Sequence, residues 1–208
     1  MSLEHWLAFV AAASVLLMIP GPTILAVISY SMTHGRRANL PLIAAVMLGD
    51  ATALAVSLLG LGALLKVSAF WFTVVKIIGG MYLLFLGIKM LRAGVSPTQV
   101  FAPKAPASWW RLFANTYMVT ALNPKGIVFF VAFLPQFVSS DHPATPQLFL
   151  LAATFVTLAM LNTSLYAIFA GSARKLLSSP RAQRGFHLTG GSLLSCAGVW
   201  AMLAKRPV

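Results

Sequence analysis

The chain has 208 residues, of which 59% are hydrophobic and 9% charged, with a mean hydropathy of +0.87. A soluble domain carries about 45–50% apolar and about 25% charged residues, so a water-covered globule is excluded. Net charge is +12, from 15 Lys and Arg set against Glu4, Asp50 and Asp141. The basic residues sit in short segments between long apolar runs, which reads as contact with a membrane surface and not with nucleic acid.

A spanning helix takes about 20 mainly apolar residues. Six runs qualify, at about 6–31, 40–65, 68–91, 112–138, 147–171 and 187–204. The first is no cleaved signal: Glu4 and His5 stand where a basic segment belongs, and the apolar stretch is too long. It is interrupted by Ile19-Pro20-Gly21-Pro22. The second run carries Asp50 and the third Lys76. A connection at about 92–111, with Pro97, Pro103 and Pro106, reads as a loop. The fourth run holds Asn123-Pro124-Lys125-Gly126, and the fifth holds Asn162-Thr163-Ser164, whose commoner use is helix–helix contact. The predicted fold is an all-α membrane protein, a single transmembrane domain over 1–208 with six helices.

Charge sets the orientation. Arg36 and Arg37 follow the first span, Lys89, Arg92, Lys104 and Arg111 the third, and Arg174, Lys175, Arg181 and Arg184 the fifth. Those ten face Lys66, Lys205 and Arg206 on the other side, which predicts periplasmic N- and C-termini.

Shifting the chain by 104 residues lays Pro20 on Pro124 and brings Pro41 within one residue of Pro146. Repeat 1 is then about 1–95 and repeat 2 about 112–208. Three spans is an odd number, so the second repeat inserts inverted. Inverted halves with interrupted helices in matching positions point to a transporter with a midplane site.

The breakers say what that site offers. A proline removes its own N–H and strands the carbonyl four residues back: Leu16 for Pro20, Met18 for Pro22, Thr120 for Pro124. In hydrocarbon such groups need a partner. Asn123 before Pro124, and Gly21 before Pro22, also read as fresh helix starts whose free N–H groups suit a carboxylate. The competing reading is a plain kink, since Pro and Gly are common in membrane helices.

Three charges lie inside spans. At about 1.5 Å rise per residue, Asp50 comes out roughly 15 Å deep, Lys76 about 18 Å and Lys125 about 20 Å from the cytoplasmic side. One acid and two bases at one level could hold a zwitterion, with Asp50 for an ammonium and Lys125 for a carboxylate. The candidate substrate-binding residues are therefore Pro20, Gly21, Pro22, Thr23, Asp50, Asn123, Pro124 and Lys125. The alternative is an Asp50–Lys76 ion pair, which would either balance charge only or carry a coupling proton.

Other chemistry is poorly represented. His5, His34, His142 and His187 lie scattered near span ends, giving no metal-ligand spacing, and one cysteine, Cys196, gives no disulfide. No H-E-x-x-H, G-x-S-x-G or phosphate-binding loop occurs, so neither an enzyme nor a cofactor is expected.

In combination, Ile19-Pro20-Gly21-Pro22, Gly35-Arg36-Arg37, Gly49-Asp50, Lys76-x-x-Gly79-x-x-Tyr82-Leu83-x-x-Leu86-Gly87, Leu122-Asn123-Pro124-Lys125, Phe129-Phe130, Leu134-Pro135-Gln136-Phe137-Val138 and Gly190-Gly191 resemble the LysE/RhtB family of amino-acid exporters. The resemblance runs almost end to end. It implies a bacterial inner-membrane secondary transporter that exports amino acids or close derivatives, driven by protons, and a homo-oligomer. The family often has Asn where this chain has Thr23, and Gly where it has Asn39. The alternatives are an exporter of another small solute or cation on the same scaffold, and a membrane enzyme or scaffold that transports nothing.

Overall fold

The computed structural model describes residues 1–67, 69–93, 108–139 and 142–203, with some of those side chains left out. Most of the 92–111 connection therefore lies outside the described residues, with Lys104 and its three prolines, as do Asp141, Lys205 and Arg206 and the side chains of Lys66, Lys76 and Arg174. Every regular element among the described residues is helical.

α1 (Leu3–Met18) starts at Ser2, whose hydroxyl accepts from His5 N–H. It stops where Ile19 turns to extended backbone ahead of Pro20. α2 (Pro22–His34) opens with proline at its first position, where the missing N–H costs nothing. Gly35, at φ 67°, ends it in the left-handed region that only glycine enters freely. One 3-10 turn leads into α3 (Asn39–Val67), and α4 (Ala69–Arg92) follows.

After the connection, α5 (Trp109–Ala121) is capped by Ser108, and α6 (Pro124–Val128) by Asn123. α6 continues through a π segment, Phe129–Phe133, into a 3-10 turn, Leu134–Phe137. α7 (Ala144–Ile168), α8 (Ala170–Ser178) and α9 (Pro180–Leu203) complete the chain. α9 begins seven residues before the predicted sixth span, because Pro180 supplies a helix-starting φ, so Arg181 and Arg184 are helical and not in a loop.

Among the described residues, four helical stretches are long and apolar enough to cross a membrane: Pro22–Gly60, Trp109–Phe137, Ala144–Ile168 and Pro180–Leu203. α1, with 16 residues, and α4, with 24, are further apolar helices. Leu59, Phe149, Trp110 and Leu203 each expose more than 70% of their surface, as suits a wall facing lipid.

Two packing arrangements matter. α3 lies against α5 and α7, and α1 against α7, which gathers their polar residues in one place. α4 lies along α9 on glycine. A Cβ built on Gly80 would stand 2.8 Å from the carbonyl oxygen of Gly198, and one on Gly198 2.5 Å from that of Gly80. Likewise Gly87 and Gly191 would meet each other's carbonyl oxygens at 2.6 and 2.8 Å. Pairing 80 with 198 and 87 with 191 makes the two helices antiparallel. Close backbone approach through small residues is how helices associate where lipid competes for every apolar contact.

The core between these arrangements is aromatic. Phe9, Phe129, Phe130, Phe133, Phe137 and Phe155 form one buried cluster, with Phe130 and Phe155 edge-to-face at 4.7 Å.

Candidate functional site

The α1–α2 interruption leaves a row of carbonyls at the end of α1, and each has a side-chain donor. Lys125 Nζ donates to Leu16 O at 3.0 Å and to Ile19 O at 2.9 Å. Asn162 Nδ2 donates to Leu17 O at 3.1 Å, and Tyr166 Oη to Met18 O at 3.1 Å. The two carbonyls stranded by Pro20 and Pro22 are thus met by Lys125 and Tyr166.

The α5–α6 interruption is resolved locally. Thr120 O accepts from Asn123 N–H at 3.0 Å, and Met118 O from Leu122 N–H at 3.0 Å. Asn123 Oδ1 then accepts from Lys125 N–H at 3.1 Å, fixing the start of α6. Its Nδ2 reaches Thr23 Oγ1 at 3.4 Å, which ties the second interruption to the first. Thr120 Oγ1 lies 3.5 Å from the same hydroxyl and gives its proton to Thr116 O at 2.8 Å.

A cavity of about 40 Å³ opens where these groups meet. Gly21 and Thr23 line it from α2's start, Asp50 from α3, and Asn123, Lys125 and Gly126 from α6's start, with Asn162 and Thr163 from α7. Its volume has room for water and not for an amino acid. Asp50 is only 9% exposed, and among the described residues no hydrogen bond or ion pair reaches its carboxylate.

Of the residues singled out in the sequence, Gly21, Thr23, Asp50, Asn123 and Lys125 share this cavity. Pro20, Pro22 and Pro124 are not on its wall but adjoin residues that are. Asn162 lines it and makes a helix–helix contact, from α7 to the last turn of α1. Tyr166 was not legible as a site residue, although its position four residues after Asn162 puts both on one face of α7. Lys76 cannot be set against Asp50, because its side chain lies outside the described residues. Among the described residues no group of three or more His, Cys, Asp or Glu could hold a metal.

The structure is thus that of a helical, multi-pass membrane protein with a small polar cavity where α2, α3, α6 and α7 meet, and the family match makes it a translocator. The chain is a member of the LysE type translocator family, whose profile matches residues 14–205. It is 30% identical over 205 residues to an uncharacterized membrane protein of Vibrio cholerae, covering 99% of this chain and 100% of that one. It is 29% identical over 205 residues to the homoserine/homoserine lactone efflux protein of Salmonella typhimurium, covering 99% and 98%. The same-named protein of Salmonella typhi is equally similar, at 29% over 205 residues. No solved structure gives a significant match.

Proposed function

We propose that the chain exports an amino acid or close derivative of the homoserine class across the bacterial inner membrane, by alternating access around the Asp50 cavity and in exchange for protons. The observation that carries this is Asp50 itself, a buried carboxylate with Lys125 as its charge partner, on the wall of a cavity between two helix interruptions. Intramembrane carboxylates are costly and mark substrate or proton paths.

The relatives' two substrates sharpen the reading. Homoserine is a zwitterion, whereas its lactone has the carboxyl closed into a ring ester and keeps only the ammonium. A site serving both holds the ammonium as the shared group. Asp50 and the carbonyls ending α1 supply its negative side, because a helix C-terminus carries partial negative charge. This moves the weight of Lys125 away from a carboxylate role.

On this reading, α1 with α2, and α5 with α6 and its continuation, are each one broken span. With α3, α4, α7 and α9 they make six, a single domain of two inverted repeats with both termini periplasmic. Support comes from the antiparallel glycine contact: Gly79-Gly80 and Gly87 recur 111 residues on as Gly190-Gly191 and Gly198, which carries the repeat into its third span if seven residues are inserted relative to the offset of 104. A homo-oligomer follows from the family resemblance alone.

The test is counterflow of labelled homoserine in proteoliposomes with an imposed pH gradient. Wild-type protein exchanges it, and Asp50→Asn, which keeps the shape and loses the charge, falls to the level of empty vesicles. Wild-type exchange by a correctly inserted Asp50→Asn protein would falsify the assignment. Adding Lys76→Met to Asp50→Asn separates a site role from charge balancing: restored abundance without export supports the site.

A further inference from the structure

Lys125 is not placed like a residue awaiting a carboxylate. Its ammonium donates to Leu16 O and Ile19 O at 3.0 and 2.9 Å, and a Cβ added to Gly21 would stand 3.5 Å from it. Two carbonyls at the negative end of α1, beside a buried carboxylate on the same cavity wall, are the groups an alkylammonium ligand calls for. A cation already fills that place, and it belongs to the protein.

We infer that the Lys125 side chain is a tethered surrogate for the substrate's ammonium: it occupies the ammonium subsite when the transporter is empty and is displaced when substrate loads. This rests on the cavity being the transport site. The surrogate explains two features together. The cavity is about 40 Å³ because a four-carbon stem and its ammonium take the room the ligand would use. Asp50 also stays in a charge-balanced site with no ligand present, which spares the empty protein an uncompensated buried acid.

Displacement has a measurable signature. A ligand that must compete with a tethered group shows an affinity lowered by the fraction of protein in which the group has withdrawn. Removing the group removes that handicap, and the gain is greatest for a ligand with an ammonium and no carboxylate. Were Lys125 instead the carboxylate anchor, its loss would weaken homoserine and leave the lactone unaffected.

The experiment measures binding of homoserine lactone and of homoserine to purified full-length protein in nanodiscs, comparing wild type with Lys125→Met and Lys125→Gln. The glutamine keeps an amide donor for the α1 carbonyls, so that fold and charge are tested apart. The expected result is lactone binding tighter by about tenfold or more in either variant. Variants that stay monodisperse only when lactone is present support the inference equally, since the ligand then replaces the missing ammonium. Unchanged or weaker lactone binding by folded variants overturns the inference, and so does failure of both variants to fold with or without lactone, which makes Lys125 a structural cap. Absence of exchange by wild-type protein sinks the function proposed above instead, and is read separately from the variants.

Discussion

The two helix interruptions look alike in sequence and are held in different ways. Between α5 and α6 the chain repairs its own break: Leu122 and Asn123 N–H groups satisfy the preceding carbonyls, and the Asn123 side chain caps the next helix. Between α1 and α2 nothing local serves the carbonyls of Leu16 to Ile19; Lys125, Asn162 and Tyr166 reach them from over 100 residues away. A self-sufficient break keeps its shape while its surroundings move. One held by distant side chains depends on the packing of α6 and α7 against α1.

That contrast can be broken most forcefully at Asn162. Asn162→Leu removes the donor to a half-buried carbonyl, and should cost about 1–2 kcal/mol, read as a lower thermal midpoint in detergent together with weaker exchange. An effect no larger than that of a surface substitution would show that water serves Leu17 equally well. Second in size is Asn123→Ala, which loses the α6 cap and should cost about 1 kcal/mol. Asn123→Asp, a residue that also caps, should recover most of the loss if capping is what counts.

Tyr166→Phe comes last. The change removes one neutral hydrogen bond, to the carbonyl of Met18, and should cost about 0.5 kcal/mol. A double-mutant cycle sharpens the point further. Ser108→Ala, at the far cap of α5, and Asn162→Leu share no partner and should add, whereas Asn162→Leu with Lys125→Gln act on one interruption and should not. Additivity in both pairs would mean the α1 end is not a single unit.

Legibility in the sequence follows the same divide. Pro20, Pro22 and Pro124 mark breaks because proline acts on its own backbone, and Asn123 before Pro124 is a local cap of the kind that helix starts display. Asp50 and Lys125 stand out because a charge in an apolar run has few explanations. Counting rise per residue puts them at similar depths, whereas their common cavity depends on how α3 and α6 pack, which a count along the chain does not give. The role of Lys125 toward Leu16 and Ile19 was not legible, since a sequence states that a carbonyl needs a donor without naming a donor 109 residues on. Tyr166 was hidden for the same reason, its hydroxyl on an apolar helix reading as interface or packing. Span ends erred where a helix ran past its apolar stretch, as α9 does from Pro180 to the predicted start at 187.

The glycine contact between α4 and α9 bears on how such a protein can move at all. Its touching atoms are backbone atoms, which have no rotamers to rearrange, and a methyl group on either side would collide with a carbonyl oxygen. The spacing of the two helices is therefore a fixed length, insensitive to sequence drift around it. Parting them would expose backbone with nothing to fill the gap, while turning one against the other keeps the atoms in touch. Along this seam the distance between two helices is set by backbone contact and not by side-chain packing.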